Sequence, residues 1–414
     1  MKLDLTSMLY ALSFALSNVE AELLGLDTGH CRRVACLGVS MGKAAGFDEE
    51  ELRDFAGCCI LHDNALTEFI HEELMESKEV IQICRLASMD ETKMHNRHCI
   101  IGESNIRLLP FRTDVENIIL HHHENADGTG ALKKNSSETT LKSQILHLAD
   151  VIDIRHRRAT MTEAEFNEIR RWVKSQSGKL FSKETVELFL ESVDFETIDH
   201  IQNTGLLEYL HEELHTIVRE YTDEEIHNIA DLFAKIIDYK SEFTQSHSRG
   251  VADKAEFMAR HYGFDKEKTV RFYFAGAMHD IGKMIVSNDI LEKSGKLTID
   301  EFAKMKNHAS ATHYILNQIN GIPDIVEWAS NHHEKLNGSG YPRGLSEKEL
   351  DFEDQLMACI DIYQALTEKR PYKDGMSHEK TISIMMDMAN KGELNKKIVQ
   401  DIDAIMPQKT QGKR

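Results

Sequence analysis

Proline is scarce in this chain, with five residues in 414, and aromatic residues make up only 7%, two of them tryptophan. So few helix breakers leave long stretches free to be helical, and the abundance of Leu, Glu, Lys, Ala and Ile favours helix over strand. Positive charge is also in deficit: 49 Lys and Arg stand against 69 Asp and Glu, a formal net charge of −20. That balance argues against a sequence-independent grip on DNA or RNA backbones. It leaves room for a small anionic substrate, because bound metal ions and a few local cations can reverse the field inside a pocket. No apolar run approaches the length of a membrane span. The stretch Leu5 to Leu16 is broken by Ser7, Ser13 and Ser17, runs into Glu20 and Glu22, and shows no small-residue cleavage site. It reads as an amphipathic first helix rather than a signal peptide. The seven cysteines (Cys31, Cys36, Cys58, Cys59, Cys84, Cys99, Cys359) contain no Cys-x-x-Cys pair. An odd number without a framework suits a reducing cytoplasm, each thiol serving as a small buried hydrophobe. The expectation is a cytoplasmic protein with no membrane contact and no nucleic-acid polymer as partner.

Against these absences stands a concentration of histidine and aspartate at fixed spacing, present twice. His30 to His62 and His247 to His279 both span 32 residues, and His98 to His122 and His308 to His332 both span 24. His123 precedes Asp150 by 27 residues and His333 precedes Asp361 by 28. Gly46-Phe47-Asp48 answers Gly263-Phe264-Asp265 in register, and Ser177-Gly178-Lys179-Leu180 resembles Lys391-Gly392-Glu393-Leu394. Such agreement reads as a duplication of a whole domain. It predicts residues 1–195, a helical linker over 196–225, and a second domain over 226–410. Ile226, Ile229, Phe233, Ile236 and Ile237 share one helical face. Phe272 to Met278 reads as a buried helix that delivers His279 and Asp280 at its end, whereas Gly338 to Pro342 must be a loop. Nothing alternates as a strand. The fold class expected is all-α: two tandem helical bundles.

In the second copy the potential ligands are His247, His279, Asp280, His308, His332, His333 and Asp361. Imidazole and carboxylate donors without thiolate suit Fe or Mn, with Ni or Zn as alternatives, rather than a structural cysteine site. Seven donors exceed what one ion takes, so two divalent ions are expected, with Asp280 as the bridge. Two ions about 3.5–4 Å apart can activate a shared water and clamp both oxygens of a phosphoryl transfer.

The segments His279-Asp280-Ile281-Gly282-Lys283, Met305-Lys306-Asn307-His308, His332-His333-Glu334, Gly338-x-Gly340-Tyr341-Pro342, Asp361-Ile362-Tyr363 and Arg370-Pro371-Tyr372-Lys373 resemble the HD-GYP family. This is a branch of the HD superfamily of metal-dependent phosphohydrolases. The resemblance covers residues 226–410. It implies hydrolysis of a cyclic dinucleotide, cyclic di-GMP or 3′,3′-cyclic GMP-AMP, with the seven residues above as metal ligands and Asp280 and Lys283 at the catalytic centre. Lys283 would contact the scissile phosphate, Arg370 and Lys373 would supply substrate-phosphate cations, and Tyr341 would line the site or offer a surface to a signalling partner. A homodimer is a further expectation. The glutamate that holds a third metal in some members is replaced here by Phe243, so a two-metal site is favoured. Ser287, Ala309 and Gln364 replace two prolines and an aspartate of the usual pattern. Glu334 is either a support for a ligand or a support for the loop. His211, His215, His261 and His313 read as ordinary histidines. Two alternatives stay open for the chain: a non-catalytic scaffold that binds the cyclic dinucleotide, and a general nucleotide phosphohydrolase of the wider superfamily.

The first copy keeps every ligand type in His30, His62, Asp63, His98, His122, His123 and Asp150. It lacks the rest. Leu66 stands at the position of Lys283, Ala131-Leu132 replaces Tyr341-Pro342, and no Arg-Pro-Tyr-Lys segment occurs, although Arg155, Arg157 and Arg158 follow Asp150. Three readings remain: a metal site that only stabilises fold or dimer, a second hydrolase of different specificity, or a docking or sensory module without metal.

Overall fold

The computed structural model describes residues 1–25, 28–70, 91–156, 160–215, 217–241, 246–293, 295–369 and 374–406. Two compact units emerge, residues 4–219 and residues 1–3 with 220–414.

The first unit opens with the helix Leu5–Leu24, capped by Asp4, whose carboxylate accepts from Ser7 N at 3.1 Å. This helix is not amphipathic as its serines suggested: Leu9, Leu12, Ala15, Ser13 and Ser17 are all buried. The hydroxyls are accommodated because they turn back on the helix, Ser13 Oγ donating to the Tyr10 carbonyl (2.5 Å) and Ser7 Oγ to the Asp4 carbonyl (3.0 Å). A serine satisfied in this way behaves as a small buried residue. The helix His30–Ala44 is the centre of the unit. It packs on Leu5–Leu24, Glu49–Ile60, Leu141–His156, Lys183–Ser192 and Leu206–Glu213. Asp48 with Glu51 and Thr162 with Glu165 form capping boxes that start their helices sharply.

In the second unit Thr222 and Glu225 box the start of Asp223–Asp238. Its predicted apolar face, Ile226, Ile229, Phe233, Ile236 and Ile237, is buried throughout. His247–His261 packs between Lys266–Met278 and Phe352–Thr367. Phe272 to Met278 is buried, as expected, and the chain then tightens into a 3-10 segment, Ile281–Ile285, which lies on Ile299–Leu316. Gly338 to Pro342 is a loop. The expectation of no strand is corrected by two strands of two residues each, Lys2–Leu3 and Arg219–Glu220, which form a short ladder. Beside it Met1 N donates to the Tyr221 carbonyl at 2.8 Å. Among the described residues no helix is long and apolar enough to cross a membrane.

Candidate metal centres

The second unit brings all seven expected ligands to one place, using helix starts, helix ends and helix middles. His247 begins its helix, His279 caps the end of Lys266–Met278, His308 and Asp361 sit mid-helix, and His332 and His333 follow Pro323–Ser330. Three rings are aimed by the same local device. The Nδ1 atoms of His279, His308 and His332 each bond the carbonyl three residues earlier, on Gly276 (2.7 Å), Met305 (2.6 Å) and Ala329 (2.6 Å). That bond commits Nδ1 as donor and leaves Nε2 as the lone pair facing the cavity.

Asp280 divides the cluster. Its Oδ2 lies 3.2 Å from His279 Nε2 and 3.7 Å from His247 Nε2, while its Oδ1 lies 3.5 Å from His308 Nε2 and 3.8 Å from His332 Nε2. Asp361 closes both halves, Oδ1 at 3.1 Å from His247 Nε2 and Oδ2 at 3.7 Å from His333 Nδ1. His279 Nε2 and Asp280 Oδ1 are buried and make no hydrogen bond. Buried polar atoms left without partners are costly unless something binds between them, and donors spaced in this way fit a divalent ion in each half. Burial opposes ionisation of Asp280, yet Lys283 and His279 hold its carboxyl well below the usual range. Burial lowers His332 and holds His333 at about 3, so both rings are neutral and able to ligate. Lys283 Nζ pairs with Asp280.

The first unit repeats much of this arrangement. Asp63 Oδ2 faces His62 Nε2 (3.5 Å) and Asp63 Oδ1 faces His98 Nε2 (3.4 Å) and His122 Nε2 (3.9 Å). Asp150 faces His30 Nε2 (3.3 Å) through Oδ1 and His123 Nδ1 (4.0 Å) through Oδ2. The His62 and His122 rings are again fixed through carbonyls three residues back, on Cys59 (2.8 Å) and Ile119 (2.6 Å). His30 Nε2, His62 Nε2, His122 Nε2 and Asp150 Oδ1 are buried without a hydrogen bond.

Two family models match the chain, each described as an HD domain, one over residues 28–155 and the other over residues 231–398. The chain belongs to the HD-domain family. The two HD domains enclose the two clusters just described. Among curated proteins, the 3′3′-cGAMP-specific phosphodiesterase 1 of Vibrio cholerae is 27% identical over 95% of this chain and 90% of its own length. The 3′3′-cGAMP-specific phosphodiesterase 3 of the same organism is 26% identical over 92% and 90%. A cyclic di-GMP phosphodiesterase of Thermotoga maritima is 33% identical over 35% of this chain and 40% of its length. The crystal structure of a V. cholerae cyclic GMP-AMP-specific phosphodiesterase superposes with a TM-score of 0.67 at 22% identity, covering 98% of this chain and 99% of the other. That likeness shares the fold: a helical protein with two HD domains.

Several supports of the HD sites were not legible in the ligand spacing. His30 Nδ1 bonds Asp153 Oδ2 at 2.7 Å, and Arg33 Nε holds the other oxygen at 2.6 Å. Asp153 lies one helical turn after Asp150, so that signal was available. In the second HD domain the equivalent residue is Gln364, which instead accepts from Lys254 Nζ at 2.5 Å. Glu368 takes over and meets His247 Nδ1 at 3.1 Å. With burial opposing it, His247 is raised to about 9 by Asp361 and Glu368. Glu20 is buried near the first cluster, where burial pushes its carboxyl up against the pull of His30 and His62.

Glu334 supports the loop: its carboxylate accepts from the backbone N–H groups of Arg343 (2.7 Å), Gly344 (3.1 Å) and Leu345 (3.0 Å). Glu124 does the same for Leu132 (2.6 Å) in the first HD domain. The loop passes so close that a Cβ on Gly340 would lie 2.5 Å from Glu334 Cα. Tyr341 is thereby set with its ring centroid 4.7 Å from His333 and 5.3 Å from Lys306 Nζ. Arg370, Lys373 and Phe243 lie outside the described residues. His211 packs edge-on to Tyr10, His261 to Tyr262, while His313 and His215 face Glu327 and Glu49.

Proposed function

We propose that the chain is a metal-dependent phosphodiesterase that opens a cyclic dinucleotide to its linear form, with the hydrolytic centre in residues 226–410. The observation that carries this reading is Asp280. Its two oxygens face two separate histidine groups, and Lys283, the one cation of the motif, lies on it. His247, His279, Asp280 and Asp361 would hold one ion, and His308, His332, His333 with the other oxygen of Asp280 the second. Imidazole and carboxylate donors favour Fe or Mn in both positions. Two such ions supply Lewis acidity and an activated water to a phosphodiester.

The protein's own part is positioning and charge. Lys283 leaves Asp280 to meet the negative charge that gathers on the phosphate oxygens. The buried neutral rings of His332 and His333 keep their lone pairs inward without rearrangement. Tyr341 presents an aromatic face at the rim, and Arg370 and Lys373 supply phosphate contacts that suit Arg in bidentate form. The first HD domain has the cage without the lysine or the tyrosine, which supports turnover in the second alone. Two V. cholerae relatives that match nearly the whole chain carry cyclic GMP-AMP specificity in their names, which makes 3′,3′-cyclic GMP-AMP the first substrate to try, in a cytoplasmic enzyme.

Purified protein loaded with Mn or Fe is incubated with cyclic GMP-AMP and with cyclic di-GMP, and products are separated by chromatography. A linear dinucleotide is expected. Asp280→Ala should lower the rate at least about 1000-fold, roughly 4 kcal/mol of barrier. Cleavage of neither nucleotide, or an Asp280→Ala rate equal to wild type, refutes the reading.

A further inference from the structure

The first HD domain departs from the second inside its ligand set. Cys99 follows His98 where Ala309 follows His308. The thiol is buried, and its sulfur lies 3.6 Å from His98 Nε2 and 3.6 Å from His122 Nδ1. That sulfur and one nitrogen from each of His98, His122 and His123 lie within 4.8 Å of one another. The corresponding group in the second domain is His308, His332 and His333, with no sulfur. Other thiols of the unit face different surroundings: Cys31 meets the Ser17 hydroxyl at 3.1 Å and Cys36 the Leu206 carbonyl at 3.6 Å.

A second observation points to a ligand here. His122 Nδ1 is already committed to the Ile119 carbonyl, and His122 Nε2 is fully buried with no hydrogen bond. Around a tetrahedral ion, with bonds of about 2.0–2.1 Å to nitrogen and about 2.3 Å to sulfur, donor atoms stand roughly 3.3–3.8 Å apart. The close contact of the sulfur with His122 is to Nδ1, and the four donors lie within 4.8 Å of one another, so closing on an ion through Nε2 asks the side chains to move by roughly 1 Å.

We propose that the first HD domain binds a divalent ion in a mixed site in which the Cys99 thiolate joins His98, His122 and His123, and that this site selects zinc over manganese. Thiolate is a soft donor, suited to zinc and poorly matched to manganese, whereas the second domain offers only nitrogen and oxygen. Binding converts the thiol to a thiolate bonded to the ion and releases one proton to solvent. The two HD domains of one chain would therefore carry different metals: a thiolate-held ion without a catalytic lysine in the first, and the nitrogen and oxygen cage in the second.

The test uses full-length protein stripped of metal and titrated with Co²⁺. Wild type should develop an intense near-ultraviolet thiolate-to-cobalt charge-transfer band. Cys99→Ala should lose the band, and should fold, because alanine occupies the matching position of the second domain. Cys99→Ser, which preserves the volume, should lose it too. Zinc competition against a chelator should show affinity at the first site at least about 10-fold weaker in both variants, with manganese binding unchanged. None of these readouts depends on nucleotide hydrolysis. A wild-type spectrum without the band, a band that persists in Cys99→Ala or Cys99→Ser, or equal zinc affinity in all three proteins overturns the proposal.

Discussion

Gly282 is where the two halves of the second metal cage are pressed together, so Gly282→Ala is an informative perturbation. The 3-10 segment Ile281–Ile285 follows His279 and Asp280 and lies on the helix that carries His308. Thr312 ties them: its hydroxyl accepts from Gly282 N (3.1 Å) and donates to the His279 carbonyl (2.9 Å). A Cβ on Gly282 would fall 2.7 Å from Thr312 N and 2.8 Å from the His308 carbonyl carbon, and closer still to the carbonyl oxygen. These are backbone atoms, so no side chain can swing away. Two packed elements must part by about 1 Å, at a cost of about 1–3 kcal/mol for an overfilled contact. For a domain of this size that lowers the melting temperature by roughly 2–12 °C. The same displacement separates Asp280 from His308, and about 1 Å of misplacement is worth about 100-fold in rate. The assay pairs thermal unfolding with turnover of the cyclic dinucleotide. Gly295→Ala is the control, because nothing lies within 4 Å of its would-be Cβ. The first domain solves the contact the other way round, with Ala65 in place of Gly282 and Gly102 in place of Thr312. A Gly282→Ala enzyme with wild-type melting temperature and rate would refute the reasoning.

Glu368→Ala should weaken metal binding at the second site about 10–100-fold, since it removes the carboxylate that orients His247; titration with Mn²⁺ measures this, and unchanged affinity would show that Asp361 alone suffices. Glu334→Ala strands three backbone N–H groups and should lower thermal stability by roughly 3 kcal/mol or more, with activity falling because the Tyr341 loop loosens; calorimetry and turnover check both. Stripping metal with a chelator should lower the melting temperature, and re-adding an ion at about 100 times its dissociation constant should restore about 3 kcal/mol, which is roughly 5–11 °C. A melting curve indifferent to chelator would mean that the buried unbonded atoms of both clusters are satisfied without metal.

The ligand set was open to reading from the chain alone because spacing along a helical protein is set by element lengths. Two copies of 32 and 24 residues between histidines can only place the same helices around the same point. The helical class followed from scarce proline and from faces such as Ile226, Ile229 and Phe233, and the loop at Gly338 to Pro342 from residues that cannot continue a helix. What depended on tertiary structure was how each ligand is held. Asp153 repeats Asp150 one turn later, so helical periodicity could have exposed it. Glu368 keeps the same phase, seven residues after Asp361, but it lies just past the end of Phe352–Thr367 in extended backbone (φ −70°, ψ 135°), so only the folded structure shows that it reaches His247. Cys99 looked like one more buried thiol, and only the folding of three histidines around its sulfur sets it apart. The burial of the first helix on nearly every side was likewise hidden, because a serine that bonds its own preceding turn is polar in sequence and apolar in packing. Residue types and intervals along the chain determined which atoms could bind metal. The division of the two oxygens of Asp280 between separate histidine groups is a property of three-dimensional packing, decided where Ile281–Ile285 meets Ile299–Leu316.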